Sequence, residues 1–374
     1  MNNSFSTAKP YLQRSCKCKG MQDLLPKDML RFRRVEDVFQ NCCRDWGYQE
    51  VRTPTLEYLH LFTATGTLTP SKLGRVYSFL DWDGWSGERV VLRPDGTIPV
   101  ARLYINELSE QEIARLFYIT NIFAFEGTGK ENRERWQCGA EFLGGAKFAA
   151  DVEIILLARE IIRRLELNSV KLQLSHAGLV KAMIKELKLS SSEEAKVTSR
   201  VVEGDWQALR LIADGSQQPA VSRLLSQLLS LKGKSSSFLQ NIKTLSPEVS
   251  SDFRSSLEDF IDTTALLDSL NCGYEIDITE IQGFEYYTGI CFQLLADGGK
   301  VGGGGRYNNL VPLMSGGNTP ACGFALYADS IAKILPLERE SKNEPEILIR
   351  CEELTQEIAK RCFFLAESLR GAGH

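Results

Sequence analysis

Trp136-Gln137-Cys138-Gly139-Ala140-Glu141 places a glutamine and a glutamate four residues apart in an otherwise apolar run. Strand side chains alternate with period two, so in a regular strand Gln137 and Glu141 point to one face. If that face is buried, the two groups need a polar ligand or each other. Working outward, Phe117-Tyr118 and Asn121-Ile122-Phe123-Ala124-Phe125-Glu126 form a second apolar segment. The charged, glycine-bearing stretch Gly127–Arg135 between the two segments reads as a hairpin loop.

Farther upstream, Leu92-Arg93-Pro94-Asp95-Gly96-Thr97, with Arg102 following, sets an acid beside a turn glycine. Alone it reads as a solvated turn carboxylate; facing a pocket, it can grip an amine. Downstream, Ile281-Gln282-Gly283-Phe284-Glu285-Tyr286-Tyr287-Thr288-Gly289 puts two tyrosines next to a tight turn. Core aromatics beside a hairpin would look the same. Gly302-Gly303-Gly304-Gly305-Arg306-Tyr307 lets the backbone approach something closely. It lacks both the lysine ending of a phosphate-binding loop and the dinucleotide pattern.

The 374 residues are 43% apolar and 25% charged, ordinary for a globular protein of two or three domains. A net charge of -4 with pI near 5.7 gives no global footprint for nucleic acid. Ten cysteines scatter along a long chain, which predicts reduced thiols and a cytoplasmic protein. Cys16 and Cys18 have no second cysteine pair or histidine nearby and read as part of a tail, with no metal site. The three histidines, His60, His176 and His374, are too few and too far apart for a histidine cluster. No apolar run is long enough to span a membrane, and no signal peptide is evident.

Five stretches follow along the chain. Residues 1–19 are a polar tail. Residues 20–179 begin with the turn Gly20–Pro26 and a helix striped by Val35, Val38, Phe39, Cys42 and Trp46, which Gly47 stops. Strands are expected over Gln49–Thr53 and Val76–Phe79, with turns at Asp83-Gly84 and Ser86-Gly87, suggesting antiparallel sheet. Residues 180–262 read as a helical insertion, and residues 263–337 return to strand-like sequence that completes the first sheet. Residues 338–374 read as a linker, a strand over Ile347–Arg350 and a helix from Thr355 to Arg370. One strand and one helix enclose no core, so this end docks elsewhere, swaps into a partner or is the remnant of a larger module.

Taken together and in order, from GMQDLLP at Gly20 to TPACGF ending at Phe324, these stretches resemble the class II aminoacyl-tRNA synthetases, specifically the histidyl enzyme. The resemblance implies an α+β fold: an antiparallel sheet flanked by helices, with a helical insertion and a truncated piece of the anticodon-binding domain at the end. It implies a histidine pocket made by Asp95, Thr97, Gln137, Glu141, Tyr286, Tyr287 and Tyr307. Asp95 departs from the family, which carries glutamate there.

The nucleotide side departs further. Family arginines are replaced by Ala124, Gln282 and Ser330, although Arg133 and Arg135 lie close enough in sequence to compensate for one of them. Bidentate guanidinium contacts stabilise the transition state of adenylation, so their loss implies a protein with no catalytic residues and no cofactor. Synthetase-like proteins with this profile are the regulatory subunits of ATP phosphoribosyltransferase. That resemblance implies a short-form catalytic subunit as partner, L-histidine as feedback effector, a homodimer within a hetero-oligomer, and no tRNA. A divergent histidyl-tRNA synthetase and a free-standing amino-acid sensor are the competing readings.

Overall fold

A computed structural model describes residues 17–68, 72–82, 87–124, 132–145, 147–202, 204–214, 219–229, 232–245, 249–280, 286–336, 347–350 and 355–373. Cys16, Phe125, Glu126, Gln282 and His374 lie outside the described residues, as do both predicted turns apart from Gly87. The chain divides into two units, Met1–Leu335 and Pro336–His374.

The first unit is built on strands β1 (Gln49–Glu50), β2 (Leu56–Tyr58), β3 (Ser78–Asp81), β4 (Glu88–Leu92), β5 (Ala114–Phe123), β6 (Glu134–Leu143), β7 (Lys171–His176), β8 (Lys232–Gly233), β9 (Glu275–Asp277), β10 (Ile290–Ala296), β11 (Gly299–Arg306) and β12 (Ala321–Tyr327). Nine form one sheet in the order β1-β5-β6-β12-β11-β10-β7-β9-β8, and β2-β4-β3 form a second, small one. The large sheet is antiparallel through its centre, with parallel pairings of β1 to β5 and β7 to β9 toward the edges. It is therefore mixed. The expected strand at Gln49–Thr53 shortens to Gln49–Glu50. The one at Val76–Phe79 shifts to β3, in the small sheet.

The helices are α1 (Pro26–Asp45), α2 (Leu59–Ala64), α3 (Thr97–Leu103), α4 (Lys147–Arg164), α5 (Ala177–Glu186), α6 (Ser191–Val202), α7 (Trp206–Asp214), α8 (Pro219–Leu229), α9 (Ser236–Leu245), α10 (Ser251–Ser269), α11 (Leu310–Leu313), α12 (Ala328–Ile334) and, in the second unit, α13 (Gln356–Gly371). Pro26 opens α1, where a missing N–H costs nothing, and Gly47, at φ +80°, takes the left-handed turn just beyond its end. Its buried stripe is Phe32, Val35, Phe39, Cys42 and Cys43, with Val38 and Trp46 partly buried alongside. α1, α4 and α12 pack together, and α10 joins α4 to α5, so the main core lies on the helix-covered face of the sheet. A second core, around Phe62, Ile98, Leu116 and Tyr307, fills the space near α3 and the small sheet.

Between β7 and β9 the chain is helical from α5 to α10, apart from β8. Val180 lies inside α5 and Asp262 inside α10, so helices continue across both positions. β8 was invisible in the sequence because two residues carry no period. It pairs with β9 and closes the sheet edge.

In the second unit, Thr355 caps α13, its hydroxyl accepting from the Ile358 N–H at 3.3 Å, as its position before the apolar run suggests. The expected strand over Ile347–Arg350 is absent, since those residues belong to no sheet. Extended chain becomes a strand only when a neighbour satisfies its N–H and C=O groups.

Candidate functional site

Alternation along β6 divides its side chains as its sequence requires. Cys138, Ala140 and Phe142 enter the main core, while Gln137, Gly139 and Glu141 face the other way. Glu141 is 1% exposed and Gln137 3%. The floor beneath Glu141 is Gly323 of β12, directly opposite, where an added Cβ would come within 1.8 Å of Oε2. Gly323→Ala is therefore expected to push the carboxylate out of place and to destabilise the fold by about 1–3 kcal/mol. Chemical denaturation of the variant checks this, and unchanged stability would show that Glu141 yields freely.

The remaining residues arrive from three directions. The turn before α3 brings Asp95, whose Oδ1 accepts from the backbone N–H groups of Thr97 at 2.7 Å and Ile98 at 3.3 Å. Gln137 Oε1 accepts from the Gly96 N–H at 3.0 Å, docking that turn onto β6. β11 ends at Tyr307, whose hydroxyl donates to Glu141 Oε2. Tyr118 of β5 donates to Glu141 Oε1 at 3.2 Å and lies 3.5 Å from the Thr97 hydroxyl. Tyr286 packs at 5.1 Å from the Tyr307 ring and 5.3 Å from the Tyr287 ring, measured between centroids. Its own hydroxyl is buried and, among the described residues, has no hydrogen-bond partner.

All seven residues proposed from sequence thus converge. Tyr118 is the member sequence reasoning left out. Gly96 and Gly139 leave room for its ring, since a Cβ on either would overlap it at 2.2 Å. Gly139 stands opposite Tyr118 across β5 and β6, so this signal of a large buried neighbour is legible only once that register is known.

Burial dominates the electrostatics. It pushes the Glu141 carboxyl up to about 8, against the pull of hydrogen bonds from Tyr307, Thr97 and Tyr118. It also raises Asp95, again in spite of the Thr97 and Ile98 N–H groups. The Tyr118, Tyr286 and Tyr307 phenols lie well above their ordinary value, first through burial and then through nearby carboxylate charge. Two carboxyls held toward their neutral form inside an aromatic cage are poised to ionise when a cation enters.

Next to the cage opens a cleft of about 710 Å³, lined by Asp95, Gln137, Ala124, Arg135, Asp329 and Ser330 among others. Ala124 contributes no charge there. Arg135 reaches across from β6: its guanidinium lies 3.8 Å from the Tyr327 ring centroid, donates to Ser330 Oγ at 3.1 Å and pairs with Asp329 at 3.8 Å. It is thus already engaged by the protein itself. Arg133 sits to one side, donating to the Tyr77 hydroxyl at 3.4 Å. Arg102 forms a two-pronged pair with Glu57, and Arg93 donates to the carbonyls of Thr53, Pro54 and Asn121, so both brace the frame around the site. Among the described residues, no group of histidine, cysteine or acidic side chains could hold a metal ion, and no helix is long and apolar enough to cross a membrane.

Residues 20–331 match the histidyl-tRNA synthetase family, and the chain belongs to it. Relatives distinguish two branches. A Histidine–tRNA ligase of Methanosarcina acetivorans is 34% identical over 85% of this chain and 75% of its own length. An ATP phosphoribosyltransferase regulatory subunit of Dehalococcoides mccartyi is 47% identical over 96% of this chain and 86% of its own. The chain therefore belongs, within that family, with the ATP phosphoribosyltransferase regulatory subunits. The fold agrees: a crystal structure from Bacillus halodurans C, described as an ATP phosphoribosyltransferase regulatory subunit/histidyl-tRNA synthetase, superposes with TM-score 0.80 at 24% identity, covering 98% of this chain and 92% of that one.

Proposed function

We propose that the chain is a regulatory subunit that activates a short-form ATP phosphoribosyltransferase catalytic subunit in the cytoplasm, performs no chemistry itself, and carries histidine feedback through the tyrosine cage. The observation that carries this reading is the cage: a buried Tyr286 hydroxyl without a partner among the described residues, beside two carboxyls that burial holds toward neutrality. Histidine supplies what that arrangement lacks. Its ammonium suits Asp95 and Thr97, and its ring N–H groups suit Glu141 and the tyrosines. Entry of the cation lowers the carboxyl pKa and releases a proton, so binding tightens as pH rises toward 8.

The nucleotide side supports a regulatory role. Ala124 and Ser330 bring no guanidinium, and Arg135 is tied to Tyr327, Ser330 and Asp329. A polyanion arriving in the cleft would meet a cation that must first break those contacts. For the homodimer, exposed Leu25 and Leu30 at the start of α1 and Leu56 and Tyr58 on β2 supply apolar surface for a second copy. The overall charge of -4 supports the absence of tRNA among its partners.

Feedback requires histidine to bind one state of the assembly more tightly than the other, and couplings of this kind are about 5–150-fold. The deciding experiment mixes the purified chain with a short catalytic subunit and follows phosphoribosyl transfer with and without histidine. Activation by the chain and inhibition by histidine, with no histidine-dependent pyrophosphate exchange, is the expected result. Robust exchange by the chain alone would make it a synthetase.

A further inference from the structure

The sheet face that carries the cage continues past the tyrosines across β11, β10 and β7. Glu141 stands opposite Gly323, Gly323 opposite Gly305, Gly305 opposite Cys291, and Cys291 opposite Ser175. One step along, Gly303, Gln293 and Gln173 form a parallel row. Directly opposed residues share a face, so both rows belong to the face of the cage. Gly303 has no Cβ, and the stem of Lys300 lies across it, with Cε 3.2 Å from where that Cβ would stand.

Among the described residues, two side-chain oxygens gathered here have no hydrogen-bond partner in the protein. Among the described residues no carboxylate pairs with the Lys300 ammonium. Gln173 Oε1 is buried and has no hydrogen-bond partner among the described residues. The same is true of Ser175 Oγ, on a residue 5% exposed; the Cys291 thiol beside it is a weak partner for a hydroxyl. A second ammonium stands behind them, for Lys181 Nζ donates to the Tyr287 carbonyl at 2.7 Å and its charge reaches Cys291. Burial pushes Lys300 down to about 8. A half-buried cation and two oxygens without partners among the described residues, gathered on one face, are costly to maintain without a ligand.

We propose that Lys300, Gln173, Ser175 and Gln293 form a second small-molecule site, distinct from the tyrosine cage, which binds a hydroxylated oxyanion. The anionic group sits on Lys300 with Lys181 behind it, and the ligand's hydroxyls donate to Gln173 Oε1 and exchange hydrogen bonds with Ser175. This site does not depend on histidine occupying the cage, and its test uses no histidine.

The test is calorimetric titration of the full chain at pH 7 with ribose 5-phosphate, gluconate and inorganic phosphate. At least one hydroxylated probe is expected to bind more tightly than inorganic phosphate. Lys300→Met is expected to weaken it roughly ten-fold or more, as loss of one charge-assisted contact does. Raising the pH to 9.5 should weaken binding to the unaltered protein in the same direction, because Lys300 then loses its charge. Gln173→Leu should abolish the preference for hydroxylated probes and leave phosphate binding in place. If Lys300→Met does not fold, the pH series and Gln173→Leu decide. Failure of all three probes to bind, equal affinity for phosphate and the hydroxylated probes, or binding indifferent to both pH and Lys300 would each overturn the proposal.

Discussion

Replacing Glu141 by glutamine is expected to raise the stability of the ligand-free protein at pH 8 while weakening histidine binding about 10- to 150-fold. The second effect follows from losing a hydrogen bond to a charged group, worth about 1.5–3 kcal/mol in a buried site. The first follows from linkage. In the folded protein Glu141 holds its proton up to about 8, whereas in the unfolded chain it is released near the ordinary value of 4.5. Between those limits the unfolded state gains from ionisation and the folded state does not. Stability from this group is therefore fully present below about 4.5 and is lost as pH rises toward 8, by an amount on the order of 1–4 kcal/mol. Glutamine cannot ionise and removes that loss. Melting curves of both proteins from pH 5 to 9 check it; parallel curves would mean that Glu141 is already charged in the folded state.

Asp151→Ala is expected to cost about 3–5 kcal/mol, because it strands a buried guanidinium. Asp151 is fully buried and Arg306 is 5% exposed. They meet through Arg306 Nη2 to Oδ1 at 2.9 Å and Nε to Oδ2 at 3.0 Å. Arg306 also donates to the Gly145 carbonyl and to Asn308 Oδ1, each at 3.1 Å, and Asn308 in turn accepts from the Ala321 N–H at 3.1 Å. This network grips the chain on both sides of Tyr307. Disrupting it should loosen the cage together with the fold. Denaturant unfolding measures the cost, and a loss below about 1 kcal/mol would show that water or a shifted side chain takes over the guanidinium.

What the sequence could and could not reveal follows from the range of each interaction. The opposite facings of Cys138 and Glu141 are a local property of a strand, so period two was enough to place Gln137 and Glu141 together. The stripe and end of α1 were similarly local, set by helical spacing and one glycine. The convergence of Asp95, Tyr286 and Tyr307 on Glu141 was reachable only through family resemblance, because no spacing along the chain encodes a contact between distant segments. Tyr118 escaped because its role depends on register with Gly139 and docking of Gly96. Arg135 could be named as a nearby charge, but its contacts with Tyr327 and Ser330 depend on the pairing of β6 with β12. The strand expected at Ile347–Arg350 failed for the converse reason: its composition suits a strand, but a strand exists only with a neighbour.

The order of the large sheet also bears on how the molecule is made. β6 and β12 are adjacent in the sheet but separated by nearly half of the chain, with the whole run of α4 to α10 between them. During synthesis β5 and β6 emerge as a hairpin whose inner edge stays open until β12 leaves the ribosome. Closing so long a loop before its contacts form slows folding, and the waiting edge is a template for pairing with another chain. Expression yield should therefore depend more on chaperone supply during translation than on the stability of the finished protein.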